Sequence, residues 1–247
     1  MHWPEGVLRE VHPSLDSTNA EAVRRANSGE RGPIWFLALE QTAGKARRGR
    51  VWRDLSGNFS ASLLMRPECS PNEAALRSFI AALALREALI EMCGREDIFT
   101  LKWPNDVLLN NRKLAGILLE SGPDFLCIGI GVNLAQTPNM DQLENTAMPP
   151  ICLREATGLT VTPEEFLPAL ATAFQRWEGQ FQQFGFAPIR TAWLQHAARL
   201  GEVITAKLPT HVETGTFETV DETGAIVLQT AKGALHLSAA DIHFGAI

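Results

Sequence analysis

The 247-residue sequence contains no tyrosine; its aromatic content is carried by 12 Phe and 6 Trp. No functional meaning attaches to that absence. Its four cysteines, Cys69, Cys93, Cys127 and Cys152, form no CxxC and no tight metal spacing. They read as reduced, mostly buried thiols of a cytoplasmic protein. The histidines include no HxxxH pair, so no protein-built transition-metal site is expected. Long apolar runs are missing too. Leu76–Cys93 is interrupted by Arg77, Arg86 and Glu87, which excludes a spanning helix. The start, MHWPEGVLRE, has no apolar stretch and carries acidic residues, so no signal peptide is expected. Positive charge is in deficit: Lys+Arg 22 against Asp+Glu 28 gives a net charge of -6. This argues against a generally basic nucleic-acid binder, though a local basic patch is allowed. Three generic motifs also fail. Gly44-Lys45 is followed by Ala46, so there is no GxxxxGK[ST]. Gly129-Ile130-Gly131 lacks the third glycine of a dinucleotide fingerprint, and Leu55-Ser56-Gly57 is not GxSxG.

What remains is an ordinary globular composition, 45% hydrophobic and 20% charged, with length for one large domain or a medium and a small one. The pattern predicts an α+β region followed by a β region. A helix opens at Asp16-Ser17-Thr18-Asn19, with Thr18 and Glu21 spaced as a capping box. Ile34–Glu40 reads as a strand, Gln41–Gly57 as a long polar loop, and Ser60–Met65 as a strand. Ser70 and Glu73 form a second capping box for a helix that runs to Cys93 and ends at Gly94. Strands follow at Phe99–Trp103, Val107–Leu109, Lys113–Ser121 and Phe125–Val132. Thr162 caps a long helix whose apolar stripe is Phe166, Leu170, Phe174, Trp177, Phe181 and Phe184; Gly185 ends it. Pro188–Leu200 reads as one more helix. Five short strands after Gly201, from Val203 to Phe244, predict a small barrel. The expected division is 1–196 and 197–247.

Four segments and a glycine-containing strand stand out. Ser17-Thr18-Asn19 offers polar side chains at a helix start, or simply caps it. Gln41–Trp52 gathers Lys45, Arg47, Arg48 and Arg50 in a loop with two glycines. Such a loop can order around phosphates; it can also be a solvated basic loop or touch nucleic acid. In Lys102-Trp103-Pro104-Asn105-Asp106, Pro104 breaks the chain between strands, so Asn105 and Asp106 fall in a turn, functional or a plain Asx turn. Arg112-Lys113-Leu114-Ala115-Gly116-Ile117 starts a buried strand with a charge. Lys113 is a functional cation or the guard of an edge strand, and Gly116 suggests close approach. Gly129-Ile-Gly-Val-Asn133 is a ligand-facing strand or merely a buried one.

In this order and spacing the segments resemble the biotin protein ligases. The matching stretches are Asp16-Ser-Thr-Asn-Ala-Glu21, Gln41-Thr-Ala-Gly with Arg47-Arg-Gly-Arg-Val-Trp52, Gly57-Asn-Phe with Ser62, Lys102–Asp106, Arg112–Ile117 and Gly129–Asn133. The resemblance covers nearly the whole chain. It implies a class II synthetase-like biotin/lipoate ligase catalytic domain, with a mixed or antiparallel sheet, plus an SH3-like β-barrel. It implies ATP-dependent conversion of biotin to biotinoyl-5'-AMP and transfer to a lysine of a biotin carboxyl carrier protein, with acetyl-CoA carboxylase as the usual recipient. Mg²⁺ is expected on the ATP phosphates.

Carried over by position, Lys113 is the lysine that bridges the biotin carboxylate and the α-phosphate, and Arg47 assists it. Ser17, Thr18, Asn19, Gln41, Lys45, Ala46 and Gly116 join them around biotin. Arg48, Arg50, Trp52, Lys102, Asn105, Asp106 and Asn133 fall on the ATP side, with Trp52 as the aromatic that packs on adenine. The family loop usually runs Gly-Arg-Gly-Arg-Arg-Gly-Arg; here Lys45 and Ala46 replace Arg and Gly. Ala46 disfavours positive φ, so a differently ordered loop is expected. Only 16 residues precede Ser17, so the expected type lacks an N-terminal DNA-binding domain and has no nucleic-acid or membrane partner, as a monomer or homodimer. The alternatives are a lipoate or octanoate ligase on the same fold, a non-catalytic biotin-binding homologue, and a nucleic-acid binder acting through the basic loop.

Overall fold

The computed structural model describes residues 2–139 and 148–244. Two sheets organise it. The larger has seven strands: β1 Leu8–His12, β2 Ile34–Ala38, β3 Phe59–Met65, β4 Phe99–Lys102, β5 Asp106–Leu109, β6 Arg112–Ser121 and β7 Leu126–Val132. Their order is β1-β2-β3-β7-β6-β5-β4. Only β1 and β2 run parallel; the other neighbours are antiparallel. The chain is therefore α+β with a mixed sheet. β1 was not anticipated, because LREVH alternates poorly and both Leu8 and Val11 are exposed on the edge.

Alternation divides the sheet into unlike faces. On one, Trp35, Leu37, Ala61, Leu63, Ile117, Ile128 and Ile130 form a continuous buried core with helices α3 (Arg77–Cys93) and α5 (Pro163–Phe184). Thr162 and Glu165 close a complete capping box on α5, with Pro163 at its first position. Its stripe buries Phe166, Leu170, Phe174 and Phe181, whereas Phe184 lies 62% exposed at the last turn. The helix expected from Ser70 is interrupted at Leu76, giving α2 (Pro71–Ala75) before α3.

The other face is part covered and part open. Helix α1 (Thr18–Asn27) sets Ala22 and Ala26 on Ile34, Phe36, Leu64 and Cys127. Beyond α1 the same face carries Ser60 and Ser62 on β3, Gly129 and Gly131 on β7, and Gly116 on β6, which the register places side by side. A row of minimal side chains leaves a trough.

A short helix, α4 (Leu153–Thr157), was also missed. Helix α6 spans Phe186–Gln195 and stops before the expected Leu200. Instead, Leu101 donates to His196 O and Ala198 donates to Leu101 O, at 2.8 Å each. The segment thus covers the outer edge of β4, satisfying backbone groups that a longer helix would leave open.

The second sheet comprises β8 Val203–Lys207, β9 Val212–Val220, β10 Ile226–Thr230, β11 Gly233–Leu237 and β12 Asp241–His243. It is antiparallel throughout, in the order β11-β10-β9-β8-β12. It docks through the β9–β10 turn, whose Gly224 carbonyl accepts from Trp103 Nε1 at 3.0 Å. Cys127 and Cys152 are buried and Cys69 and Cys93 half-buried, all free. No described helix is long and apolar enough to cross a membrane.

Candidate active site

Above the trough lies a cleft of about 1160 Å³, and every site residue singled out from the sequence lines it. Its floor is glycine. A Cβ on Gly131 would overlap the Trp52 indole, and one on Gly129 would overlap the Asn19 amide. At Gly116 it would lie 3.3 Å from Trp52 Cζ3 and 3.6 Å from Lys113 Nζ. The glycines are thus required by close approach from above. The Trp52 indole rests on this floor, and its buried Nε1 has no hydrogen-bond partner among the described residues.

One end of the cleft is neutral and polar. Ser17, not Thr18, caps α1, accepting from Ala20 N, and the Thr18–Glu21 box does not form. The Glu21 carboxylate pairs with Arg24 instead. Thr18 and Asn19 are thereby freed to turn inward. Thr18 N donates to Gln41 Oε1 at 2.8 Å, and Asn19 and Thr18 both meet Ser62. Asp54 accepts from Gln41 N and, at 3.0 Å, from Ser60 Oγ, tying the loop to β3. Burial is the chief influence on Asp54 and pushes its carboxyl up, against these two hydrogen bonds.

The other end is cationic. Lys113 does not guard an edge, because β6 lies between β5 and β7. A bulge shifts the β5–β6 register, pairing Leu108 with Lys113 after Val107 with Ala115. The extra residue turns Lys113 to the Gly116 face. There its Nζ lies 2.7 Å from Asp106 Oδ1, and Lys102 Nζ lies 3.8 Å from Asp106 Oδ2. Asp106 opens β5 and is buried, rather than lying in the preceding turn. Burial opposes its charge, but Lys113 and Lys102 outweigh it and hold the carboxyl below its usual range. Asn105 does occupy the turn. Its Oδ1 accepts from Arg47 Nη1 at 3.1 Å and its Nδ2 donates to Ile117 O. Burial is also the main influence on Arg47 and on Lys102, lowering both.

The loop departs from expectation at another residue. Ala46 is extended at φ -128, where alanine fits without strain; Arg48 (φ 58) and Gly49 (φ 73) take the left-handed positions in a single 3-10 turn, Arg47–Gly49. Arg48 pairs with Asp241 of β12, and Arg50 lies 3.7 Å from the same carboxylate. Lys45, exposed, bridges to Val51. Asn133 is buried at the end of β7. Its Nδ2 donates to Ile151 O at 3.1 Å, and its Oδ1 has no partner among the described residues.

Profiles of two families match the chain: "Biotin/lipoate A/B protein ligase family" over residues 11–133 and "Biotin protein ligase C terminal domain" over 200–245. A biotin–[acetyl-CoA-carboxylase] ligase of Paracoccus denitrificans is 49% identical over 235 residues, covering 93% of this chain and 98% of the relative. The chain belongs to the biotin protein ligase family. The bifunctional ligase/repressor BirA of Bacillus subtilis is 30% identical across 95% of this chain and 73% of its own length. The biotin protein ligase of Aquifex aeolicus, solved with biotin and ATP, superposes with a TM-score of 0.81 at 25% identity, covering 96% of this chain and 97% of that one.

Sequence reasoning missed three residues that this family member brings to the site: Asp241 on the loop arginines, Asp54 beneath Gln41, and Glu120, which accepts from Asn19 Nδ2 at 2.8 Å. None of the three carried a local signal, unlike Ser62, already among the matching stretches, where Ser60-Ala61-Ser62 alternates with period two, as do Gly129 and Gly131.

Proposed function

We propose that this chain is an ATP-dependent biotin protein ligase. It activates biotin to biotinoyl-5'-AMP and passes the biotinoyl group to a lysine of a biotin carboxyl carrier protein. The observation that carries the reading is the convergence of Lys113 and Arg47, held by Asp106 and Asn105, where the glycine floor meets the cationic loop. The cleft exceeds the roughly 300–1,000 Å³ usual for one small ligand, which suits two substrates side by side.

The first step joins two anions. A biotin carboxylate oxygen bonds to the α-phosphorus as pyrophosphate leaves. Repulsion between them is the barrier that fixed positive charge lowers. Lys113 supplies a point charge aimed by Asp106, and Arg47 a planar fork aimed by Asn105. Ser17, Thr18, Asn19 and Gln41 take the neutral biotin head, with Lys45, Ala46 and Gly116 beside the chain. Arg48, Arg50, Lys102 and Asn133 serve the nucleotide, and Trp52 packs on adenine. Mg²⁺ arrives on the ATP phosphates; among the described residues no group of three or more His, Cys, Asp or Glu forms a metal cluster. In the second step the carrier lysine amine attacks the acyl carbon, releasing AMP and one proton. Residues 1–196 form the catalytic domain and 197–247 the cap that contributes Asp241.

The test is an adenylation assay with biotin, α-labelled ATP and Mg²⁺. Labelled biotinoyl-AMP is expected, followed by label loss and carrier biotinylation on addition of a carrier domain. Adenylation of lipoate or octanoate in place of biotin would move the assignment to the other branch of the fold. Binding of biotin without adenylation would leave only a binding module.

A further inference from the structure

Arg112 opens β6 beside Lys113 and lies outside the cleft lining. β7 pairs with β6 as far as Val132, opposite Ala115, and Asn133 N then donates to Leu114 O at 2.9 Å. Beyond that point residues 149–151 run beside β6 as a short strap, parallel to it, with Pro150 opposite Lys113. Lys113 N donates to Pro149 O at 2.8 Å, and Lys113 O accepts from Ile151 N at 3.0 Å. The bulge that turns Lys113 to the cleft thus has its backbone groups satisfied by this strap.

The strap has few means of holding on. Pro149 and Pro150 carry no N–H, so the two backbone bonds to Lys113 need support from elsewhere. Its far end is secured where Asn133 Nδ2 donates to Ile151 O at 3.1 Å and Leu153 N donates to Asn133 O at 2.8 Å. Its middle is secured by Arg112, whose Nη2 donates to Pro150 O at 2.6 Å. The same guanidinium donates through Nη1 to Glu155 Oε1 of α4 at 3.1 Å, and Glu155 Oε2 accepts from Thr137 Oγ1 at 2.6 Å. Two acceptors on two elements fix the plane of the fork. Both partners of the Arg112–Glu155 pair are partly exposed, so the pair adds little stability. Its effect is on position.

We propose that Arg112 is a positioning residue for Lys113. By clamping Pro150 O it holds the strap, the strap holds the bulge, and the bulge aims Lys113 Nζ to where the carboxylate meets the α-phosphate. Fixed charge stabilises a transition state only from a fixed place, and a displacement of about 1 Å can cost on the order of 10²-fold in rate. Ground-state binding rests on the other cleft residues and does not feel the shift. The inference rests on the biotin ligase reading of the site.

The experiment measures the single-turnover rate of biotinoyl-AMP formation, and the Kd of biotin and of ATP, in Arg112→Ala, Lys113→Ala and the double variant. Arg112→Ala is expected to slow adenylation about tenfold, with both Kd values within about threefold of the parent's. In the Lys113→Ala background the same substitution should cost less than about twofold, because the group it positions is gone. Arg112→Lys keeps a donor for Pro150 O and should recover adenylation to within about threefold of the parent. Glu155→Ala frees the other side of the fork and should slow adenylation about threefold with the same Kd values, which keeps the test open if Arg112→Ala does not fold. Unslowed adenylation in Arg112→Ala or, should that variant not fold, in Glu155→Ala overturns the proposal and leaves the ligase reading intact. So does an equal loss in substrate binding, a fully additive loss on Lys113→Ala, or a lysine variant no better than alanine. A parent protein that forms no biotinoyl-AMP overturns both.

Discussion

The two faces of the seven-stranded sheet are built from the same strands and differ in nearly every property. On the α3–α5 side, Trp35, Leu63, Ile117, Ile128 and Ile130 lie in one hydrophobic core, and the two helices above it bury a paired Arg77 and Glu178. On the cleft side the alternate positions of the same strands are Ser60, Ser62, Gly129, Gly131 and Gly116, with Asp106 and Lys113 at the end. Each residue step along β7 exchanges one role for the other. The packed face stabilises the fold by burying area. The cleft face gives up that burial to bring backbone and cations close to a ligand. Substitutions on the two faces should therefore separate cleanly into stability and activity effects.

The largest activity effect is expected at Lys113. Lys113→Ala removes a preorganised charge from the transition state and should lower adenylation by about 10²–10³-fold, with biotin Kd changed little. Equilibrium binding beside single-turnover adenylation checks this. Unaltered adenylation would remove Lys113 from the mechanism. The neighbouring pair Ile130 and Gly131 makes the sharper comparison. Ile130→Ala should cost about 2–5 kcal/mol of stability and leave both KM values near the parent's. Gly131→Ala pushes on the Trp52 indole and should raise KM for ATP by about tenfold with a small change in Tm. Denaturant unfolding and steady-state kinetics on both variants decide it; the reverse pattern would mean that the faces are misassigned.

The same division extends to the second sheet, which touches both sides. Asp241 reaches the cleft and holds Arg48 and Arg50. Asp241→Ala should loosen the phosphate loop, raising KM for ATP about three- to tenfold with Tm unchanged, since partly exposed ion pairs add little stability.

Much of this was legible in the sequence, for local reasons. Thr162-Pro163-Glu164-Glu165 specifies a helix start by its own hydrogen bonds, and it formed as expected. The cationic loop and its flanking motifs were visible as clusters, and every site residue carried over from them reached one cleft. The shortfall lies where a tertiary contact outcompeted a local one. Thr18 fits a capping box with Glu21 on spacing alone, but Gln41 and Ser62 claim its backbone and hydroxyl, and the cap moves to Ser17. α6 ends early because β4 needs an edge partner from residues far along the chain. The alternation left Lys113 open between a functional cation and an edge guard, because a one-residue bulge, which sets its direction, leaves no trace there. Asp241 and Glu120 act on residues remote in sequence, and nothing nearby marks them.

The smallest expected effect is a matter of pH, and it lies on the packed side of the second sheet. Asp221 holds the turn that presents Gly224 to Trp103. It accepts from Thr223 N, Thr223 Oγ1 and Ala225 N and pairs with His236 Nδ1 at 2.7 Å. Burial works against its charge, but these partners outweigh it and hold the carboxyl down at about 2, against an ordinary 3.8. A carboxylate depressed by folding adds stability that is fully present above its unfolded value and is lost as pH falls through its folded one. The contribution should thus be intact at pH 7 and fade between about pH 4 and pH 2. Asp221→Asn should lower Tm by a few degrees at neutral pH, with the gap to the parent closing across that window and with KM for biotin and ATP unmoved. A gap that persists at pH 2, or a shift in either KM, would mean that the turn serves the cleft rather than the docking of the second sheet.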